Sequence, residues 1–141
     1  MKDVKKRIKA LAHSIFHLND TPHGIAWGVA LGMFFSILPT FGLGMIVALA
    51  LSSFVKANPV STYLGTLVVN PFNGALVYAL DYWVGSFFLG ETGVFFVPQN
   101  LKDLEILGGR LYLGGILVSS ILSSVSYLII LGFLQWKRQK R

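Results

Sequence analysis

The chain has no cysteine and few charged residues. Without cysteine, its 141 residues can form neither a disulfide framework nor a thiolate metal site or nucleophile. Charged residues make up 13% of the chain, about half the usual share in a soluble domain, while 54% are hydrophobic. Between Gly24 and Gly90 the only formal charges are Lys56 and Asp81. Such a segment cannot form a surface facing water, so we expect an all-α integral membrane protein.

Basic residues are concentrated at the two ends of the chain. The first nine residues carry five Lys or Arg, and "WKRQKR" at the other end carries four. By the positive-inside rule, this pattern predicts a multi-pass membrane protein with both termini cytoplasmic. Such clusters are typical of contact with anionic membrane lipids. No aromatic or groove-reading motif accompanies them, so no nucleic-acid partner is expected.

The first 20 residues have the pattern of an amphipathic helix lying in the membrane interface. Val4, Ile8, Leu11, Ile15 and Leu18 recur on one face at helical spacing. The histidines at positions 13 and 17 lie one turn apart near the centre of the polar face. That is the pattern of a solvated face, so neither a metal nor a cofactor is expected.

Small residues recur every four positions in two of the predicted membrane helices. One stripe is Gly24, Gly28 and Gly32, after a helix start signal in "NDTPH" where Thr21 or Asp20 can cap. The other stripe consists of Gly115, Ser119 and Ser123. Small residues allow helices in lipid to approach closely, within one chain or between chains. We expect a homo-oligomer, either a dimer or a trimer.

Two Pro-x-x-Gly sequences interrupt the apolar part of the chain. "PTFG" follows a run of about 17 residues from Pro22, barely enough to cross a 30 Å hydrocarbon core. "NPFNG" follows a helix start at Asn58-Pro59 after only about eleven residues, and its own Asn70-Pro71 repeats that start signal. Each break is preceded by Leu-Gly and a short apolar stretch, which suggests an internal repeat. Each is either a turn at the membrane surface or a discontinuity inside the membrane.

The predicted layout therefore has an interfacial helix, two broken or re-entrant units and one C-terminal transmembrane helix. Its single transmembrane domain covers 21–136, between an interfacial helix over 1–20 and a basic tail over 137–141. Within the domain we predict a first broken unit over 21–56, a second over 57–90, an interfacial loop with a short helix after Asn100 over 91–110, and the last transmembrane helix over 111–136.

The order of these pieces resembles DUF2062, a family of uncharacterised bacterial membrane proteins. The matching stretches are "GIAWGVALGMFFSILPTFGLG", "KANP", "VVNPFNG" with the following "YALDYW", and "LYLGGILVSS" with the basic tail. Some members of that family are joined to glycosyltransferase or methyltransferase domains. The resemblance therefore implies such an enzyme as a possible partner, and it supplies no catalytic residue.

A broken backbone in lipid indicates a wet or protein-lined cavity, because unsatisfied amides and carbonyls there cost several kcal/mol each. Transporters build substrate sites from discontinuous helices in this way. A helix starting at Pro71 would aim its amides at the cavity and favour an anion, a phosphate head group or water. The candidate substrate-binding residues are Pro39, Thr40, Gly42, Asn70, Pro71, Asn73, Gly74 and Asp81.

Asp81 has two interpretations. An acid within a membrane helix is a functional candidate, suited to proton coupling, to attracting a cation or to pairing with Lys56 or Arg110. Alternatively, Tyr78, Tyr82 and Trp83 mark a membrane interface at which Asp81 is wet and idle.

These features favour a small oligomeric transporter or channel with its site at the two breaks. The alternative is a non-transporting module that docks a lipid- or glycan-modifying enzyme. No nucleophile–base pair, phosphate loop or acid pair indicates that the chain is itself an enzyme.

Overall fold

The computed structural model describes residues 2–16, 20–91 and 97–141. These residues form six helices and no strand, which confirms the all-α class. In chain order the helices are α1 (Lys2–Phe16), α2 (Pro22–Ile37), α3 (Gly44–Phe54), α4 (Pro59–Thr66), α5 (Gly74–Phe88) and α6 (Leu101–Gln139).

Three helices begin directly after polar residues at which the sequence predicts a helix start. Oγ1 of Thr21 accepts a hydrogen bond from the backbone N–H of Gly24 at the start of α2. Asn58 and Asn100 do the same for α4 and α6, through their side-chain oxygens. A polar acceptor at this position satisfies an amide that has no partner within the helix.

Helix α1 begins and ends close to the predicted amphipathic segment. Val4 and Ile8, on its predicted apolar face, are exposed. The side chains of Leu11 and Ile15, together with residues 17–19, lie outside the part of the chain that the structure describes.

Helix α2 lies at the centre of the bundle, parallel to α4 and antiparallel to α6. Glycines on α2 allow α4 to pack backbone to backbone: a Cβ at Gly28 would overlap the hydroxyl of Ser61, and one at Gly32 would overlap the carbonyl of Thr62. The small-residue stripe predicted on α2 is therefore an interface within the chain. On the α6 side, Nδ1 of His23 lies 2.9 Å from the hydroxyl of Tyr127.

Helices α5 and α6 form a second close pair. A Cβ at Gly85 would overlap the carbonyl oxygen of Arg110, and one at Gly114 would overlap that of Asp81. The two contacts join residues in opposite chain order, so the helices run antiparallel. Helices α2, α4 and α5 thus point one way along the bundle, and α6 points the other way.

The two Pro-x-x-Gly breaks have different consequences for the path of the chain. After the first, α3 returns along α2, so that the backbone N–H of Asn58 bonds to the carbonyl of Gly24 at 2.8 Å. After the second, α5 continues in the direction of α4. The two similar sequences therefore produce one hairpin and one interrupted helix.

Helix α6 corrects the predicted boundary between loop and helix near residue 110. The short helix expected after Asn100 and the helix expected over 111–136 are one continuous helix, Leu101–Gln139, which also takes in much of the basic tail. The glycine pair Gly108-Gly109 does not interrupt this helix. A Cβ at either glycine would meet open space, so no close contact with another element requires glycine there. Among the described residues, α6 is the one helix long and apolar enough to cross a membrane.

The core and the surface have an inverted composition. Small or polar residues dominate the buried set, for example Ala26, Ala48, Ser52, Thr62 and Ser119. Many large apolar side chains are exposed, including Phe41, Phe54, Phe72, Leu76 and Phe133. Exposed apolar side chains in such number indicate contact with lipid or with another protein.

Candidate functional site

The first break is a tight turn around a buried proline. Because Pro39 has no N–H, it cannot donate to the carbonyl of Phe35 one helical turn earlier. That carbonyl instead lies 3.4 Å from the hydroxyl of Thr40 and against Gly44, where no Cβ would fit. Phe41 and Gly42 complete the reversal with positive φ angles of 50° and 91°.

The second break is a turn held by two asparagines. Oδ1 of Asn70 accepts hydrogen bonds from the N–H groups of Phe72 and Asn73. In return, Oδ1 of Asn73 accepts from the N–H of Asn70 at 2.8 Å, and its amide nitrogen donates to the carbonyl of Val68. The predicted helix start at Pro71 is therefore wrong: Asn70 caps a turn, and α5 begins at Gly74.

Ser36 ties the two breaks together. Its hydroxyl donates to the carbonyl of Thr66 at the end of α4 and accepts from the N–H of Val69, each at 2.9 Å. Both of these backbone groups belong to the segment where α4 ends and the second break begins. The Ser36 side chain on α2 therefore satisfies one backbone carbonyl at the end of α4 and one backbone N–H just before the second break.

The two breaks line one shared cavity of about 370 Å³. Its polar groups are the hydroxyls of Ser36, Thr40, Thr66 and Tyr78 and the side chain of Asn70. No charged side chain lies among the lining residues, which are Phe35, Ser36, Thr40, Gly42, Gly44, Met45, Thr66, Val69, Asn70, Pro71, Gly74 and Tyr78. The cavity is thus formally neutral, with a few hydroxyl and amide groups set in a mainly apolar lining.

The structure brings only part of the predicted site together. The residues that line the cavity as expected are Thr40, Gly42, Asn70, Pro71 and Gly74. Pro39, Asn73 and Asp81 lie outside its lining. Sequence reasoning missed Ser36, Thr66 and Tyr78, although a hydroxyl within an apolar helix next to a break is a signal that could have identified them.

Asp81 occupies a separate position next to the first break. It is 0% exposed, so the interpretation of a wet residue at the interface is wrong. A Cβ placed on Gly115 would lie 2.7 Å from Cδ of Pro39 and 3.5 Å from Oδ2 of Asp81. The proline ring and the carboxyl group therefore share the space above Gly115 on α6.

The predicted pairing of Asp81 with Lys56 or Arg110 does not occur. Among the described residues, neither carboxyl oxygen of Asp81 has a hydrogen-bond partner. Arg110 instead donates to the hydroxyl of Tyr82 at 2.7 Å and forms an ion pair with Glu91. Lys56 is exposed, in the connection between α3 and α4.

A family model described as "Uncharacterized protein conserved in bacteria (DUF2062)" matches residues 5–141. The chain belongs to the DUF2062 family. No curated protein and no solved structure matches it. The DUF2062 match includes both breaks, the cavity that they line and Asp81, so the whole candidate site lies within the family region.

Proposed function

We propose that this DUF2062 protein is a small transporter or channel of the bacterial inner membrane. The observation that carries the proposal is the shared cavity, which gathers two backbone breaks and several hydroxyl groups between apolar helices. Both termini would be cytoplasmic, and the protein would assemble as a dimer or a trimer.

The composition of the surface supports a membrane environment. Large apolar side chains cover the outside, and Phe72 beside the second break is 96% exposed. Small residues at the helix contacts match the packing of helices in lipid, where close backbone approach replaces the hydrophobic effect. At 1.5 Å per residue, α6 is about 58 Å long, which exceeds the ~30 Å hydrocarbon core.

The directions of the helices suggest how the chain crosses the bilayer. Helices α2 and α3 would form a re-entrant hairpin, since α2 is only about 24 Å long and the chain then returns. Helices α4 and α5 would cross once as an interrupted helix, and α6 would cross back. Non-helical backbone at such depth is tolerated where it lines a cavity.

The lining of the cavity favours the polar part of a solute or a lipid over a bare cation. The Asn70 amide nitrogen and the Tyr78 hydroxyl can donate hydrogen bonds to phosphate or other oxygens. The hydroxyls of Ser36, Thr40 and Thr66 already donate to backbone carbonyls, and their oxygens can still accept. Helix α5 begins at Gly74 in the wall and adds the partial positive charge of a helix N-terminus. A phosphate-bearing lipid head group would meet this chemistry while its acyl chains stayed in the bilayer.

Reconstituted protein tests the proposal directly. Liposomes containing a fluorescent phospholipid report lipid scrambling, and a trapped small polar solute reports flux. We expect either signal to fall about fivefold in Asn70→Ala, because losing the hydrogen bonds that Oδ1 of Asn70 accepts in the turn, at ~1 kcal/mol, deforms the cavity wall. Pro39→Ala should also reduce it, since α2 could then extend into the break.

Control variants distinguish loss of the site from loss of folded protein. Gly132→Ala, where a Cβ meets open space, should retain full activity when normalised to folded protein. Full activity in Asn70→Ala and Pro39→Ala, with loss in Asp81→Asn alone, would show that the site is not at the breaks. If wild-type protein moves neither lipid nor solute, the docking module for a lipid- or glycan-modifying enzyme is the better hypothesis.

A further inference from the structure

Asp81 lies just beyond the end of the cavity that the two breaks share. Tyr78, one turn earlier on α5, lines that cavity, and so does Thr40, the neighbour of Pro39 in sequence. Between the cavity and the far end of the bundle, the ring of Pro39 rests against Gly115 with the Asp81 carboxyl group beside it. The acid therefore lies beside a contact between the first break and α6, about one helical turn beyond the lining of the cavity.

We propose that Asp81 is a proton-binding gate: with its proton it keeps Pro39 and Gly115 in contact, and without it the contact opens. The proposal rests on the transport function proposed above in one respect, namely that the opened contact extends a path for the solute. Proton binding itself can be measured independently of any transport.

Burial and the absence of partners carry the argument for a proton. An ionised carboxylate with no cation or donor beside it is strongly disfavoured away from water, whereas the protonated acid is neutral. Asp81 is fully buried, and neither of its oxygens has a hydrogen-bond partner among the described residues. The closed arrangement therefore suits the neutral acid.

A metal cation does not suit the same position. Hard cations require several oxygen ligands around them. Around Gly115, the atoms that share the space with Oδ2 of Asp81 are carbon atoms of the Pro39 ring. Its own backbone carbonyl is packed against Gly114. Among the described residues, no group of three or more His, Cys, Asp or Glu residues could hold a metal ion.

The charged and titratable residues near Asp81 are compatible with a change in its charge. Within about one turn of the contact, α5 contributes Tyr78 and Tyr82, and α6 contributes Arg110 and Tyr112. The segment of the first break contributes none. Arg110 is held by Glu91 and by the hydroxyl of Tyr82, so opening the contact need not break an existing ion pair of Asp81.

The proposed step is a simple acid dissociation. The O–H bond of the Asp81 carboxyl group breaks, the proton passes to a water molecule entering from the cavity, and the electron pair stays on the carboxylate. The carboxylate then requires hydration, which separates the Pro39 ring from Gly115. Rebinding of a proton reverses the step.

Carbodiimide labelling tests proton binding. Dicyclohexylcarbodiimide adds to protonated carboxyl groups in apolar surroundings, and mass spectrometry locates the adduct among the six acidic residues of the chain. We expect labelling of Asp81 at neutral pH that is lost as the pH is raised. Asp81→Asn should abolish the adduct, and Glu105→Gln, at an exposed acid, should leave it unchanged.

Infrared spectroscopy covers the case in which the reagent cannot reach the site. A carbonyl band of a protonated carboxyl group should be present in the wild type at neutral pH and absent from Asp81→Asn. If both the adduct and the band are missing at neutral pH, the proposal is overturned.

A single cysteine tests the opening. Ser119→Cys is a nearly isosteric change one turn from Gly115, at a side chain that is 0% exposed. We expect a water-soluble thiol reagent to modify it at high pH, but not when Asp81→Asn is also present. Gln99→Cys, at an exposed position, corrects for the intrinsic pH dependence of the thiol.

The outcomes separate this inference from the proposed transport function. An equal rise in labelling with and without Asp81→Asn would overturn the gate. A proton on Asp81 with pH-dependent opening, in a protein that moves no solute or lipid, would retain the gate and refute transport. Transport by a protein that holds no proton on Asp81 would refute the gate and retain the transport function.

Discussion

At the scale of single residues, glycine sets the distance between the helices. Gly114 faces the carbonyl oxygen of Asp81, and Gly85 faces that of Arg110, so both glycines of the α5–α6 pair meet backbone. Backbone cannot move aside as a flexible side chain can. Gly108 and Gly132, on the same helix α6, have open space around them and provide matched controls.

We therefore predict opposite effects from the same substitution at two positions. Gly114→Ala should destabilise the protein by about 1–3 kcal/mol, because the methyl group forces the helices apart. Gly132→Ala should be neutral or stabilising by up to ~1 kcal/mol, because alanine favours helix. Thermal unfolding in one detergent compares them. Equal melting temperatures for the two variants would contradict the close contact at Gly114.

At the scale of helices, the bundle depends on how the two breaks are joined. The sequence predicts the helix starts at Thr21, Asn58 and Asn100 correctly, because capping is local chemistry that a few residues determine. It predicts the start of α5 wrongly. The two asparagines there bond to each other's backbone, and that reciprocity depends on the geometry of the turn, which no spacing rule supplies.

The sequence also could not predict that the chain reverses at one break and continues in the same direction at the other. "PTFG" and "NPFNG" look like copies, yet one reverses the chain and the other does not. The difference comes from tertiary contacts: Ser36 satisfies the segment after α4, and Gly44 packs against Phe35. Which predicted residues share a cavity could therefore be known only once the helices were placed.

The Ser36 bridge gives a prediction at this scale. Ser36→Ala removes one partner from the carbonyl of Thr66 and one from the N–H of Val69, which should destabilise the fold by about 1–3 kcal/mol. Hydrogen exchange at the Val69 amide should become faster. Ser124→Ala is the matched control, since that exposed hydroxyl donates to the carbonyl of Ser120 within α6. Unchanged exchange at Val69 in Ser36→Ala would show that the bridge does not hold the break.

At the scale of the whole molecule, the arrangement of charge predicts the orientation in the membrane. Asp20, just before α2, lies around one cavity of about 180 Å³ with Lys137 and Arg138 of α6 and with Arg141 after it. The ion pair of Arg110 and Glu91 lies toward the opposite end of α6. Under the proposed topology, the basic residues at the end of the chain would lie on the cytoplasmic side, as the positive-inside rule expects.

The absence of native cysteine makes this orientation simple to measure. Single cysteines at Lys2 and Lys140 should react with an impermeant thiol reagent from the cytoplasmic side, and one at Gln99 should react from the other side. The parent chain, which has no cysteine, is the blank. Reaction of all three positions from the same side would refute the proposed topology.

The pairing of α5 with α6 has a consequence for how the protein is made. Helix α5 packs chiefly against α6, which leaves the ribosome later. If α5 enters the membrane as proposed above, Asp81 lacks the glycine surface that buries it until α6 is made, and the nascent chain offers the translocon a helix carrying an exposed acid. Synthesis of α6 would then complete both the fold and the surroundings of the acid.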